Sequence, residues 1–324
     1  METRKFHNNL IVSTAPHIVS DDDTTKIMGT VLLAMMPALV AGIYVFGTGA
    51  LVRAIVGVIS AVFFEWAYNM ITHKRQTIGD LSAAVTGLLI AFNVPSTIPV
   101  WEIILASFVA IFIVKQLYGG IGKNFVNPAI TARIFLFISF ASSMSTWPLP
   151  RMNQTADAVT GPTPLGLLAE KSTELPSNME MFLGFIGGSM GEVSALALLI
   201  GGIFLIWRKV ISPIIPCAFI GTVFLIALIY YKGSFNMALF HIFAGGVMLG
   251  AFFMATDYVT TPKLPMGKLL FGIGCGFITM LIRLWGSYPE GVSFSILLMN
   301  IMTPLINRLT FKSYIKEGGA NSGK

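Results

Sequence analysis

Charge is what this sequence has least of. Only 11% of its 324 residues are Asp, Glu, Lys or Arg, against roughly 25% in an ordinary globular domain. With 55% hydrophobic residues, that scarcity excludes a soluble enzyme and an intrinsically disordered chain. Cysteine is nearly absent: Cys217 and Cys275 sit in separate apolar runs without a Cys-x-x-Cys pair. That argues against a zinc or iron–sulfur centre made by this chain alone, and both read as small hydrophobes in helices. No strand–Gly-x-Gly-x-x-Gly–helix unit is present, so a dinucleotide is not expected to bind here. The first 25 residues lack the apolar core of a cleavable signal peptide, so the first apolar run should serve as an uncleaved insertion signal. The formal charge of +6 would suit a nucleic acid in a soluble protein. In so apolar a chain it reads instead as the positive-inside rule, and no nucleic-acid partner is expected.

What is present is apolar sequence in lengths that suit a bilayer. A hydrocarbon core of about 30 Å needs about 20 apolar residues per helix. Ten runs qualify, near 26–48, 52–72, 80–95, 100–118, 127–145, 190–207, 212–231, 237–256, 267–285 and 291–309. The expected fold is an all-α polytopic membrane protein of about ten transmembrane helices, some of them broken. Its expected parts are an N-terminal segment 1–25, helices one to five over 26–145, a loop 146–185, helices six to ten over 186–310, and a tail 311–324. Ten crossings put both termini on one side. Fifteen of the 21 basic residues then share that side, five (Arg53, Arg151, Lys171, Lys232 and Arg283) fall opposite, and Arg133 lies within the fifth run. This bias makes the termini cytoplasmic and the proline-rich loop 146–185 external.

Three stretches mix Gly with polar residues beside apolar runs: 119–129, 184–195 and 254–262. Irregular backbone at membrane depth is tolerated where it is buried in protein or lines a cavity. Free N–H groups at helix starts suit polar or anionic ligands. Each stretch alone is equally well read as helix capping and close packing. Together with the break at Asn93-Val94-Pro95 they favour an interior that holds a ligand. Gly-acid-x-Ser-Ala occurs at 79–83 and again at 191–195. It suggests a five-plus-five repeat, although the two copies fall on runs three and six, which do not correspond in a simple duplication. Glu65, Asp80, Glu102, Glu192 and Asp257 lie in or at the ends of runs, where ionisable groups are functional candidates. Glu65 is the deepest acid, and Glu102 beside Trp101 is readily solvated. Arg133 is either a buried partner for an acid or a cation beside a phosphate or a reduced cofactor. His241 reads as a packed polar residue.

The loop carries Asp157-Ala158-Val159-Thr160-Gly161-Pro162-Thr163-Pro164. It resembles the D-x-x-[ST]-G-A-[ST] site at which a flavin transferase joins FMN to threonine through a phosphoester. Asp157, Thr160, Gly161 and Thr163 match, Pro162 replaces the usual Ala, and the acceptor would be Thr163. That chemistry needs an exposed hydroxyl in a turn, which Gly161 and its neighbouring prolines supply.

With this motif, the stretches at 13–17, 79–88, 122–129, 191–195, 254–257 and 288–292 make the whole chain similar to the NqrB/RnfD family of membrane subunits. The length favours the RnfD branch, because NqrB has an N-terminal extension. The resemblance implies a redox subunit of a bacterial or archaeal cytoplasmic-membrane complex joining ferredoxin and NAD to Na⁺ or H⁺ translocation. It would not be catalytic alone. It implies covalent FMN at Thr163, a non-covalent riboflavin, other membrane and peripheral subunits of an Rnf complex as partners, and a flavin transferase for maturation. Walls for the riboflavin are expected at 122–129 and 254–261. The cofactor-binding candidates there and nearby are Asn124, Asn127, Arg133, Glu192, Thr256 and Asp257. A small-solute channel or permease would also use broken helices and intramembrane acids, but it leaves the threonine motif unexplained. A scaffold predicts neither flavin nor flux.

Overall fold

Several helix starts in this chain follow side chains that accept backbone N–H bonds, which would otherwise be unpaired in the first turn. Asp23 caps α1 (Thr24–Phe46). Asn127, followed by Pro128 at the first helical position, caps α5 (Pro128–Ser139) through the N–H groups of Ala129 and Ile130. Ser194 caps a later helix, Ala195–Trp207, and Ser234 caps Phe235–Phe243. The computed structural model describes residues 23–151, 160–172, 175–192, 194–286, 288 and 290–321, with side chains as far as 311. The segment before Asp23 and Asp157 of the threonine motif lie outside the described residues.

The remaining elements follow in chain order. α2 (Thr48–Ile71) is followed by a 3-10 turn (Ile78–Asp80), α3 (Ser82–Phe92) and α4 (Val100–Phe108). α4 widens directly into a π-helical stretch, Val109–Gln116. After α5 come the short α6 (Ala141–Ser145), α7 (Pro164–Ala169) and α8 (Asn178–Leu183). Ala195–Trp207 is α9, and α10 is Ile214–Tyr230. Phe235–Phe243 is α11, and α12 (Val247–Leu249) runs into a π-helical turn, Gly250–Met254. α13 (Pro265–Trp285) and α14 (Val292–Asn321) complete the bundle. Among the described residues there is no strand, only an isolated bridge between Pro148 and Thr160.

Among the described residues four helices are long and apolar enough to cross a membrane: α1, α2, α13 and α14 over Val292–Phe311. The α11–α12 pair is a fifth candidate, bent by 65° at its break. Shorter apolar helices α3, α5, α9 and α10 lie among them. Large hydrophobics such as Leu33, Val40, Ile59, Ile229 and Ile273 point outward, as lipid-facing side chains do. The fold is that of a multi-pass helical membrane protein.

Several expected boundaries shift for local reasons. The third run forms helix only to Phe92: Pro95 favours extended backbone at Val94, and Asn93 Nδ2 bonds back to Leu89 O at 2.6 Å. The fifth breaks at Phe140, so α6 is separate. The sixth begins at Ala195, not 190, because 184–192 is irregular and Gly191 N–H bonds to Phe92 O across the bundle at 2.9 Å. The expected tail continues α14 to Asn321.

Close helix crossings use glycine, as bilayer packing requires. A Cβ on Gly87 of α3 would meet Gly57 O of α2 at 2.3 Å, and one on Gly57 would meet Gly87 O at 2.6 Å. Gly272 and Gly276 of α13 likewise face α10 backbone. Gly87→Ala should therefore cost about 1–3 kcal/mol through overpacking and lower the thermal midpoint in detergent. Gly221→Ala, which meets nothing within 4 Å, should leave that midpoint unchanged.

Candidate functional site

α5 carries the N-cap Asn127 at one end and Arg133 six residues on, about 9 Å along the axis. Each residue lines a different cavity.

The first cavity, about 330 Å³, is lined by Asn124, Asn127, Thr256, Asp257, Ser82 and Lys115, among apolar residues of α1, α3 and α9. The two polar stretches expected to form ligand walls, 122–129 and 254–261, thus meet in space. Asn127 Nδ2 donates to Met254 O at 3.2 Å, and Asn124 Nδ2 donates to Val126 O at 3.0 Å. Asp257 Oδ2 accepts from Thr260 Oγ1 at 3.1 Å. Surrounding atoms push the Asp257 pKa up, while bonds from Val259 N–H, Thr260 and Asn124 hold it back. Thr256 Oγ1 is turned to Phe252 O at 2.7 Å.

Behind this wall lies the deepest acid. Glu65 of α2 is 1% exposed and receives Lys115 Nζ at 3.0 and 3.1 Å, Gln116 Nε2 at 2.9 Å and Thr77 Oγ1 at 2.8 Å. Lys115, counted from the sequence among the basic residues of the cytoplasmic side, is buried in the π-helical stretch. Pairing with Glu65 explains the difference, since a buried ion requires a partner.

The second cavity, about 450 Å³, is lined by Thr163, Arg133, Glu290, Phe137, Tyr288 and Phe294, with Trp147 nearby. Its aromatic wall is held by ring contacts: Phe137 meets Tyr288 edge-on at 4.9 Å, and Tyr288 stacks on Phe294 at 6.2 Å. Thr163 departs from expectation. It is 9% exposed and N-caps α7, its Oγ1 accepting Gly166 N–H at 3.1 Å. Thr163 lines the cavity at the start of α7, and Thr160 forms a bridge with Pro148. Thr160 is exposed and Gly161 half-buried, with Gly161 N–H bonded to Trp147 O.

Arg133 links this cavity to the irregular backbone. Its Nη1 donates to Asn93 Oδ1 at 3.0 Å, and its Nη2 pairs with Glu192 Oε1 at 3.1 Å and with Glu290 Oε2. Arg283 completes a balanced set of two cations and two anions. It donates to His241 O at 2.5 Å, Ala244 O at 2.9 Å and Glu290 O at 3.2 Å, satisfying carbonyls freed where α11 ends. Burial pushes the Glu290 pKa up to about 7, Glu192 adds to the rise, and Arg133 and Arg283 oppose it. Arg133 thus fits the buried-partner reading, and it also stands on the wall of the Thr163 cavity. Glu192 was readable as a member of this cluster, but Glu290, Asn93 and Arg283 were not. The stretch Tyr288–Val292 was the available signal. Glu102, expected to be solvated, is 2% exposed and bonded by Ser143 Oγ at 2.8 Å. His241 is packed as expected, against Tyr231.

Broken helices, buried ion pairs and cavities within the bundle describe a multi-pass integral membrane protein. Residues 11–316 match the family described as the NQR2, RnfD, RnfE family. Over 306 residues the chain is 47% identical to the D component of the Na(+)-translocating ferredoxin:NAD(+) oxidoreductase complex of Acetobacterium woodii, covering 93% of this chain and 94% of that protein. It is 42% identical to the D component of the proton-translocating ferredoxin:NAD(+) oxidoreductase complex of Clostridium ljungdahlii, over 94% and 95% of the two chains. To the D component of the ion-translocating oxidoreductase complex of Stutzerimonas stutzeri it is 37% identical, over 88% and 90%. The chain belongs to the NQR2, RnfD, RnfE family.

Replacing Arg133 by Leu should strand two carboxylates and Asn93 Oδ1. Breaking such a buried pair costs about 3–5 kcal/mol, read as a lowered midpoint of denaturant unfolding in detergent micelles. Adding Glu192→Gln and Glu290→Gln should recover part of the loss.

Proposed function

We propose that this chain is the membrane-embedded flavin-carrying subunit of an Rnf-type ferredoxin:NAD⁺ oxidoreductase complex, coupling electron transfer to Na⁺ or H⁺ translocation. It works with other membrane and peripheral subunits and is not catalytic alone. FMN is esterified to Thr163 by a flavin transferase, and a non-covalent riboflavin occupies the cavity at Asn124 and Asp257. The observation that carries this reading is the position of the Thr163 hydroxyl, on the wall of an aromatic-lined cavity of about 450 Å³. Both cavities fall in the usual range for small-molecule sites, roughly 300–1,000 Å³.

When bound, the flavins supply one-electron and two-electron carriers. The chain's residues position and tune them. Phe137, Tyr288 and Phe294 offer ring faces beside Thr163, and the hydroxyl keeps an oxygen toward Gly166 N–H after esterification. The Arg133 guanidinium supplies positive charge to that wall, buffered by Glu290. Asn124, Asn127, Thr256 and Asp257 supply hydrogen-bonding edges to the other cavity. The energetics are adequate: a drop of about 100 mV for two electrons releases about 4.6 kcal/mol, and moving one charge against 100 mV costs about 2.3 kcal/mol.

We further propose ten crossings with both termini cytoplasmic in the inner membrane, and retain a five-plus-five repeat as part of this reading. Support comes from the alternation of helix ends. The starts of α1, α3 and α5 and the end of α9 gather at the Asp257 cavity, while the end of α5 and the start of α14 reach the Thr163 cavity. Burial of Lys115 and Arg283 removes one charge from each side and leaves the basic bias intact.

The test is intact mass and in-gel ultraviolet fluorescence after co-expression with the transferase. Wild type should carry one FMN phosphoester, and Thr163→Val none. Thr160→Val should keep it. Covalent fluorescence surviving in Thr163→Val would remove the site. Asp257→Ala should weaken retention of the non-covalent flavin about 10-fold or more, the worth of a bond to a charged group, with the Thr163 fluorescence unchanged.

A further inference from the structure

Lys115 is held at membrane depth with all three ammonium donors engaged, and it also forms part of the wall of the Asp257 cavity. Two of its bonds go to Glu65. The third goes to Ser82 Oγ at 2.6 Å, and Ser82 Oγ in turn donates to Asp80 Oδ1 at 2.5 Å. Asp80 is half-buried, in the 3-10 turn that leads to the exposed segment Lys74–Gln76. A continuous line of three side chains therefore joins the aqueous face to the cavity wall.

A pair kept only for stability needs none of this. Burying both ions costs several kcal/mol each, and well-packed hydrophobic residues often serve as well. Two features favour proton release instead. Lysine can pass on a proton, whereas arginine stays charged. Glu65 also keeps donors from Thr77 and Gln116, so its charge stays satisfied when Lys115 becomes neutral. The groups facing Lys115 are Glu65 on α2, Asp80 through Ser82, and Asp257 and Tyr258 across the cavity. Tyr68 packs on Phe112 of the same stretch, with Lys74 over its ring at 5.0 Å. Lys26 on α1 is exposed, and α3 and α5 present no titratable side chain to this wall.

We infer that Asp80, Ser82 and Lys115 form a proton relay from the aqueous face into the Asp257 cavity, serving a ligand that binds a proton as it takes up an electron. An isoalloxazine belongs to that class, and the inference rests on reading this cavity as a flavin site. The ligand receives one electron from a neighbouring iron–sulfur or flavin carrier of the complex and one proton from Lys115. One N–H bond of the ammonium breaks, and one N–H bond on the ligand forms. The Asp80 carboxylate then takes up a proton from the aqueous side and passes it to Ser82 Oγ as Ser82 hands its own proton to the neutral amine. Lys115 and Asp80 return to their starting charges.

The test uses the full chain with Thr163→Ala in lipid nanodiscs, so that only non-covalent flavin remains. Its reduction by dithionite is followed as loss of flavin absorbance in H₂O and D₂O, and its reduction potential is titrated. Ser82→Ala keeps the Lys115–Glu65 pair and should reduce its bound flavin about 100-fold more slowly, the scale of a lost proton donor. Lys115→Arg keeps the charge and should be equally slow, whereas Lys115→Met should also lower the potential. Wild-type rates in either Ser82→Ala or Lys115→Arg, with flavin bound, would overturn the relay while leaving the flavin reading standing. Absence of flavin from the parent protein would overturn both.

Discussion

One guanidinium holds the irregular part of this bundle together. Arg133 contacts the end of α3 through Asn93, the segment before α9 through Glu192, and the loop before α14 through Glu290. Each of these segments leaves the helical path inside an apolar protein, where unpaired polar groups cost several kcal/mol. Arg283 does the same for the break after α11, through backbone carbonyls. Two arginines and two glutamates therefore replace the hydrogen bonds that continuous helices would have made, at no net charge.

That arrangement frees α5 to serve two sites. Its N-cap forms part of one cavity and its middle part of the other, and the two ends are joined through Asn127–Met254–Asn93–Arg133 contacts. A change of charge in either cavity is felt along a short, water-poor path, where electrostatic interactions are strong. The separation suits a protein proposed to move electrons through a bilayer without moving the carriers. It also keeps proton chemistry at Lys115 apart from the aromatic cavity at Thr163.

Much of this was legible in the residues. Apolar runs locate the helices because bilayer crossing imposes a length, and capping side chains such as Asn127 and Ser194 refine their starts. The polar stretches 122–129 and 254–261 stood out as Gly, Asn and Thr beside apolar runs, open both to helix capping and to lining a ligand site, and the fold brings them to one cavity. The threonine motif was legible in the sequence, but not the burial of Thr163, which arises from packing at the start of α7. Lys115 counted as one of the cytoplasmic-side cations and Glu102 looked like a solvated acid. Only packing against Glu65 and Ser143 reveals otherwise. Glu290 lies 157 residues from Arg133, too far for any local pattern to join them.

The sequence by itself determined that this is a multi-helix membrane protein, that its third apolar run breaks near Pro95 and which threonine stands in a flavinylation-like motif. Composition and spacing act locally, residue by residue, and the bilayer turns them into helices. Tertiary structure alone decided which charges neutralise one another, which polar stretches share a cavity and which way Thr163 faces. Those outcomes depend on how helices rotate against each other, and that is set by contacts such as Gly57 with Gly87, made between residues distant in the chain.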